Sequence, residues 1–193
     1  MLDLKRLLEE RAMRIREFCF DVDGVMTPQG AIGIYDVRNV KALGAFERKD
    51  GIVSTCLVPC DKHGVPLQNV VEYISGYDGE LIMEGYRFDP RDGKVVEYLV
   101  EHNFPVYFVS GRDSPCVRKR ALALGAKPIL GVKEKLSVIN GTASLANVMF
   151  VGDGIQDCEA LKAVREAGGI AIAPADASPE AIAATDCVTE AKG

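Results

Sequence analysis

Apolar and polar positions follow two different patterns along this chain of 193 residues. From residue 89 onward, short apolar runs alternate with longer segments in which apolar residues recur every three or four positions, as on a helix with one buried face. Between residues 30 and 88, short runs rich in valine, isoleucine and tyrosine are separated by glycine-containing turns, which predicts antiparallel strands. Residues 3–14 have helical spacing and lead into an apolar run at 15–20.

The alternating part predicts a parallel sheet, because strands that alternate with helices are joined by right-handed crossovers. The predicted strands after the first are 106–109, 128–130, 148–151 and 170–173, and the predicted helices are 89–102, 114–124, 134–139, 155–167 and a short one after Ser178. We therefore expect an α/β fold, a Rossmann-like parallel sheet flanked by helices. Its core would comprise 1–29 and 88–193, and 30–87 would be a β-rich insertion, either an extended flap or a small cap, with one helix at 40–46.

Composition excludes several classes of function. A net charge of −5 and a pI of about 5.2 are not those of a nucleic-acid-binding protein. No apolar run approaches the roughly 20 residues that a membrane span needs, and the N-terminal segment is too charged for a secretory signal. We therefore expect a cytoplasmic protein with no nucleic-acid or membrane partner and with reduced cysteines.

One group of cysteines leaves an alternative open. Cys56, Cys60 and His63 could offer three ligands to a zinc ion. Their spacing is unusual for structural zinc and no fourth ligand is evident nearby, so small apolar strand residues are the plainer interpretation.

Polar side chains follow three of the predicted strands directly, at carboxyl ends that share one edge of a parallel sheet. These residues are Asp21 and Asp23, Ser110 to Arg112, and Asp153 with Asp157. Two carboxylates one residue apart at the end of an apolar strand repel each other and are partly desolvated, so a bound cation is expected to stabilise them. Asp21, Asp23 and Asp153 together suit a hard cation such as Mg²⁺, and Asp157 is either a further ligand or an anchor behind the site.

The same edge carries groups that could hold phosphate. Ser110 and the Gly111 amide stand at a predicted helix entrance, where they can donate to phosphate oxygens. Lys133 or Lys135 can neutralise a further oxygen. With phosphate held there, one aspartate can attack phosphorus and form an aspartyl-phosphate that water hydrolyses, while the other transfers protons. Each feature alone also fits an ordinary turn, helix cap or surface charge, but all four would then have to coincide in this order.

The order D-x-D-G, S-G-R, K and G-D-x-x-x-D, within residues 15–25 and 88–190, resembles the motifs of the haloacid dehalogenase superfamily of phosphohydrolases. The resemblance implies a Mg²⁺-dependent phosphatase. It implies that Asp21 is the nucleophile, that Asp23 is the general acid and base, and that Ser110 binds phosphate. The motif-three lysine would be Lys135, with Lys133 as second choice. The metal would be bound by Asp153, supported by Asp157, and by the backbone carbonyl of Asp23.

Further segments are similar to the 3-deoxy-D-manno-octulosonate 8-phosphate phosphatases of that superfamily. They are 88–93, with the pattern F-x-x-R-D-G, and 110–112, 120–125, 131–136 and 173–177. This resemblance implies a small phosphorylated sugar acid as substrate, a place in lipopolysaccharide biosynthesis, and a homotetramer. It also implies that Arg91 and Arg112 contact the sugar or its carboxylate. The insertion is longer than the hairpin of that subfamily, and a C-terminal tail of its members is lacking after Gly193, so another phosphometabolite such as a nonulosonate 9-phosphate is the alternative substrate.

Two other classes remain open. A signalling receiver also combines an acidic cluster with serine or threonine and lysine, but its phosphoacceptor lies alone on a later strand, whereas Asp21 lies beside Asp23. A catalytically idle assembly or regulatory domain fits the long insertion, but not the full set of polar residues.

Overall fold

The structure is a computed structural model that describes residues 2–27, 33–36, 47–49, 52–57, 71–77 and 82–193. The predicted helix at 40–46 lies outside the described residues, as do two members of the candidate zinc group, Cys60 and His63.

Helices and strands occur in the order that the apolar pattern predicts. They are α1 (Leu2–Ala12), β1 (Glu17–Phe20), β2 (Gly33–Asp36), β3 (Glu47–Lys49), β4 (Ile52–Leu57), β5 (Val71–Tyr77), β6 (Ile82–Phe88), α2 (Pro90–Glu101), β7 (Val106–Ser110), α3 (Pro115–Ala123), β8 (Lys127–Leu130), α4 (Lys135–Thr142), β9 (Val148–Val151), α5 (Cys158–Ala167), β10 (Ile170–Ala173), α6 (Pro179–Ala184) and β11 (Cys187–Val188).

The central sheet has six parallel strands in the order β11-β10-β9-β1-β7-β8. The predicted α/β fold with a parallel sheet is therefore confirmed. Strand β1 lies inside the sheet and pairs with β7 on one side and β9 on the other. Because the chain winds outward in both directions from β1, a crevice forms at its carboxyl end, where ligands bind in sheets of this kind.

The sheet buries apolar side chains on both faces, because successive strand residues point to opposite sides. Cys19 of β1 packs on the face covered by α4, α5 and α6, in a cluster that includes Val109, Ile139, Phe150, Leu161, Val164 and Ala171. Its neighbours Phe18 and Phe20 pack on the other face, in a cluster with Val22, Phe88, Val96, Phe108, Val117 and Leu124 that involves α2 and α3.

Predicted helix starts are confirmed by capping hydrogen bonds. Asp89 accepts from the Arg91 amide, Ser114 from the Val117 amide and Ser178 from the Ala181 amide, each followed by proline in the first turn. The predicted helix 155–167 differs, because it begins as a 3₁₀ turn at Ile155–Asp157 before α5.

The described strands between residues 33 and 88 form a second, antiparallel sheet in the order β2-β6-β5-β4-β3. Among the short runs between residues 30 and 88 that predict strands, those at 52–58 and 70–74 correspond to β4 and β5. Strand β6 ends at the buried Phe88, one residue before the cap of α2, so the antiparallel sheet leads directly into the core. Among the described residues, no helix is long and apolar enough to cross a membrane.

Candidate active site

Polar residues converge at the carboxyl edge of the central sheet. Asp21 follows β1, Ser110 ends β7, Asp153 follows β9, and Lys135 begins α4. The Asp21 amide donates to the Val151 carbonyl at 2.9 Å, so the pairing of β1 with β9 continues up to the first carboxylate. The predicted common edge therefore places these groups side by side.

The chain turns tightly after β1. The carbonyl of Val22 accepts from the amides of Val25, Met26 and Thr27 at 3.3, 3.0 and 3.0 Å, and from the Thr27 hydroxyl at 3.1 Å. Gly24 has a φ of +86°, which favours glycine, and a Cβ atom there would overlap the Asp153 carboxylate. The turn thus packs directly against the acidic group that follows β9.

Three buried carboxylates form what we call the acidic cluster: Asp21, Asp153 and Asp157. One carboxylate oxygen of each lies within 4.8 Å of the other two. Three carboxylate oxygens this close are the donors that a hard divalent cation prefers, and buried carboxylates need a positive charge to offset their repulsion. The residues present therefore fit Mg²⁺.

Lys135 enters this cluster. Its Nζ atom lies 2.7 Å from Asp21 Oδ1 and 2.6 Å from Asp157 Oδ1, and its side chain is 3% exposed. Lys133 is exposed, so the structure distinguishes between the two lysines of the motif. Because the ammonium bridges two carboxylates, it offsets part of their negative charge when the cluster is buried.

Asp157 has a second function in the local structure. Its Oδ2 atom accepts from the amides of Asp153 and Gly154 at 3.2 and 3.1 Å. A Cβ atom on Gly152 would lie 2.7 Å from that of Asp157, so glycine permits this close approach. The 3₁₀ turn at the start of the predicted helix follows from these bonds, because they pull Asp157 back toward the strand end.

Burial governs the electrostatics of the cluster. It raises the pKa of the Asp21 carboxyl well above its ordinary value, and the Asp157 carboxylate raises it further, against the opposing effect of Lys135. Burial also acts to lower the pKa of Lys135, but the charges of Asp21 and Asp157 outweigh it and raise that pKa. Burial therefore favours the protonated form of Asp21, and the two carboxylates favour the charged form of Lys135.

The loop after β7 supplies hydrogen-bonding groups next to the cluster. Ser110 is buried, and its hydroxyl accepts from the Arg112 amide at 3.1 Å. The Ser110 carbonyl accepts from the Val132 amide at 3.1 Å, which ties this loop to the segment before α4. Gly111 is exposed, with room around its backbone.

Asp23 lies on the rim of the site and is not part of the acidic cluster. Its side chain is 36% exposed, and Oδ2 lies 3.8 Å from Arg112 Nε. The sequence grouped the carboxylates of Asp21, Asp23 and Asp153, with Asp157 as a further ligand or an anchor, whereas the structure groups Asp21, Asp153 and Asp157. The difference arises because the chain turns at Val22 and directs the second carboxylate outward.

Arg91 is not brought to the cluster. Its side chain is 86% exposed, and Nη2 donates to Asp89 Oδ2 at 2.6 Å. The cap of α2 therefore holds this guanidinium.

Two glycines of the predicted motifs, Gly24 and Gly152, shape the site in a way that the sequence analysis did not predict. Both directly adjoin a motif carboxylate, and that adjacency is the signal from which they could have been found.

Comparison with known proteins gives matches among solved structures alone. No family model and no curated protein matches the chain. A hypothetical protein from Xanthomonas campestris is 27% identical with a TM-score of 0.66, over 100% of this chain and 82% of that one. The 3-deoxy-D-manno-octulosonate 8-phosphate phosphatase of Moraxella catarrhalis, solved with magnesium, phosphate and the sugar acid, is 20% identical with a TM-score of 0.63, over 100% and 84%.

A third similar structure is a Legionella pneumophila protein described as a HAD superfamily, subfamily III A, hydrolase. It is 19% identical with a TM-score of 0.61, over 100% of this chain and 84% of that one. The fold that the motifs predicted is therefore confirmed.

Proposed function

We propose that this chain, which has the fold of the haloacid dehalogenase superfamily, is a Mg²⁺-dependent phosphatase. The observation that carries the proposal is the position of Asp21, which is buried against Asp153, Asp157 and Lys135 at the carboxyl end of the central strand. A carboxylate in this position can act as nucleophile toward a phosphate held beside a cation.

Asp21 would attack phosphorus through a carboxylate oxygen, and the bond from phosphorus to the leaving oxygen would break. Asp23 would give its proton to that oxygen. In the second step Asp23 would take a proton from water, whose oxygen attacks phosphorus, and the bond to Asp21 would break to release inorganic phosphate. Asp23 suits both transfers because it stands on the exposed rim, where the leaving group departs and water enters.

The other polar groups would hold the phosphate. The Ser110 hydroxyl and the Gly111 amide can donate to its oxygens, and Lys135 lies close enough to Asp21 to offset charge there. A bound Mg²⁺ would be held by Asp21, Asp153 and Asp157 and, by resemblance, by the Asp23 carbonyl, and it would supply neutralisation of the phosphate oxygens.

We propose a small phosphorylated sugar acid as the substrate class, and a homo-oligomer, tetrameric by resemblance, as the assembly. The support is the likeness to the Moraxella catarrhalis enzyme, whose structure contains the octulosonate sugar. Of the two arginines first considered for the sugar acid, Arg112 lies at the site, whereas Arg91 pairs with its own helix cap.

The test is release of phosphate from 4-nitrophenyl phosphate with Mg²⁺, and its loss with chelator. We expect Asp21→Asn to abolish turnover, because an amide is a poor nucleophile. Asp113→Asn, at an exposed carboxylate paired with Arg118, is the matched control and should retain it. Absence of turnover in the wild type, with no Mg²⁺ binding, would favour an idle domain. A screen of octulosonate 8-phosphate and nonulosonate 9-phosphates then identifies the substrate.

A further inference from the structure

Arg112 links the two loops that flank the acidic cluster. Its side chain begins on the loop after β7 and reaches across to the loop after β1, where Nε lies 3.8 Å from Asp23 Oδ2. The two side chains are 50% and 36% exposed, so the contact lies at the open mouth of the site.

The backbone of Arg112 is fixed more firmly than the end of its side chain. Its amide donates to the buried Ser110 hydroxyl at 3.1 Å, and Ser110 is the last residue of β7. This bond fixes the backbone from which the Arg112 side chain starts, so its reach toward Asp23 begins from a defined position. An exposed ion pair adds little to the free energy of folding, so its effect is expected on the direction of the Asp23 carboxylate rather than on stability.

We propose that Arg112 is a positioning residue for Asp23. The contact keeps the carboxylate at the open mouth of the site, where the proposed mechanism needs a proton donor for the leaving oxygen. This inference rests on the proposed function and names a residue through which proton transfer is controlled. It differs from the expectation that Arg112 contacts the substrate's own carboxylate.

The two roles of Arg112 predict different kinetics. A general acid matters most when the leaving group is a strong base, because a weak base such as 4-nitrophenolate leaves without a proton. A residue that positions the acid must therefore matter most for the same substrates. A residue that binds the substrate's carboxylate would matter for substrates that carry one, whatever their leaving group.

The experiment measures kcat/KM and KM for three phosphate monoesters whose leaving groups carry no carboxylate, namely 4-nitrophenyl phosphate, phenyl phosphate and a simple alkyl phosphate. Octulosonate 8-phosphate, which carries a carboxylate, is measured beside them. The variants are Arg112→Gln, Arg112→Lys and Asp23→Asn. The matched control is Arg118→Gln, an equally exposed arginine in α3, the helix that follows this loop, whose ion pair is with Asp113 at 2.7 Å. Thermal melting checks that each variant is folded.

We expect Arg112→Gln to lower kcat/KM about tenfold for the alkyl ester and less than about threefold for 4-nitrophenyl phosphate, a fraction of the 10²- to 10⁴-fold effect of a general acid. Arg112→Lys should restore part of the loss. Asp23→Asn should show the same dependence on leaving group more strongly, and adding Arg112→Gln to it should cause little further loss, since the two residues act as one unit. Arg118→Gln should match the wild type on every substrate.

Equal losses of kcat/KM on the three esters without a carboxylate would overturn the inference and assign Arg112 to the phosphate loop alone. A rise in KM confined to carboxylate-bearing substrates would overturn it in favour of substrate binding. An active wild type with an unchanged dependence on leaving group in Arg112→Gln refutes this inference alone. A wild type without Mg²⁺-dependent turnover refutes the proposed function and this inference with it.

Discussion

At the scale of single residues, the site depends on charge balance in a buried place. Asp21, Asp153 and Asp157 share one small volume, and Lys135 is the cation that contacts two of them. Removing one member of a buried ion pair costs more than the pair contributes, because the remaining charge has lost its water. Substitutions here should therefore affect stability as well as activity. The effect on stability is measured in the metal-free protein, and the effect on activity is measured with Mg²⁺.

We expect Lys135→Met to lower the free energy of unfolding of the metal-free protein by about 3–5 kcal/mol, because Asp21 and Asp157 would be left facing each other. Lys133→Met, at an exposed position in the same segment, should change it by about 0.5 kcal/mol or less. Urea denaturation in chelator measures both. Equal losses of unfolding free energy in the two variants would show that the contacts of Lys135 with Asp21 and Asp157 do not stabilise the fold.

The raised pKa of Asp21 makes a prediction about pH. Chiefly because of burial, the Asp21 carboxyl binds its proton more tightly in the folded protein than in the unfolded chain. The stability that this proton contributes is therefore complete below about pH 4, the pKa in the unfolded chain, and is lost as pH rises through the raised pKa of the folded protein. We expect the metal-free protein to lose stability as pH rises above about 4, and Asp21→Asn to show a flatter profile. Mg²⁺ should stabilise the wild type more at high pH, because it replaces the proton. Denaturation across pH, with chelator and with Mg²⁺, measures this; identical slopes in both proteins would contradict it.

At the scale of elements, two short turns build the site. The turn from Val22 to Thr27 is wound around one carbonyl, and the 3₁₀ turn at Ile155–Asp157 is drawn back by the Asp157 carboxylate. The two turns meet where Gly24 packs against Asp153. The strands end at this edge of the sheet, and the turns that follow them set the direction of each carboxylate.

Gly24→Ala tests that contact. The positive φ of +86° costs a side chain about 1–3 kcal/mol of strain, and the new Cβ would displace the Asp153 carboxylate. Gly168→Ala is the matched control, because Gly168 has a φ of +88° but no neighbour within 4 Å. In chelator, we expect Gly168→Ala to lose the strain energy alone and Gly24→Ala to lose more, because its Cβ also overlaps Asp153. Gly24→Ala alone should bind Mg²⁺ about tenfold or more weakly, as measured by calorimetry. Equal Mg²⁺ affinity in the two variants would count against the contact.

At the scale of the whole molecule, a partly buried ion pair joins the N-terminal helix to the far edge of the central sheet. Arg11 Nη1 lies 2.9 Å from Asp186 Oδ1 and 3.3 Å from the Gly169 carbonyl, and Asp186 Oδ2 accepts from the Ala171 amide at 3.0 Å. One carboxylate thus connects α1, β10 and the segment that leads to β11. This tie lies outside the acidic cluster and should act on folding alone.

We expect Asp186→Ala to lower the free energy of unfolding by about 3 kcal/mol, since Arg11 and the Ala171 amide both lose a buried partner. Glu10→Ala, which breaks an exposed pair with Arg6 on the same helix, should cost about 0.5 kcal/mol or less. Urea denaturation gives both values, and Mg²⁺ affinity should be unchanged in each. A small loss for Asp186→Ala would mean that α1 is held by apolar contacts instead.

Much of the core followed from pattern alone, for reasons visible in particular elements. Helices α2 and α3 begin where Asp89-Pro90 and Ser114-Pro115 predicted, because capping is a local interaction. Strand β11 was not predicted, because a pairing of two residues leaves no periodic signal. The boundaries of the insertion at 30 and 87 and its role over the site remain predictions.

The sequence by itself determined which chemical groups reach the edge of the sheet, because strand ends, caps and turn residues are set by neighbours along the chain. It could not determine which carboxylates would meet. In the tertiary structure, Asp157 lies in the acidic cluster and Asp23 lies on the rim beside Arg112. Lys135 is buried against Asp21, whereas Lys133 is exposed. These outcomes depend on contacts between segments far apart in the chain, such as Gly24 with Asp153 and Lys135 with Asp21, which no local pattern encodes.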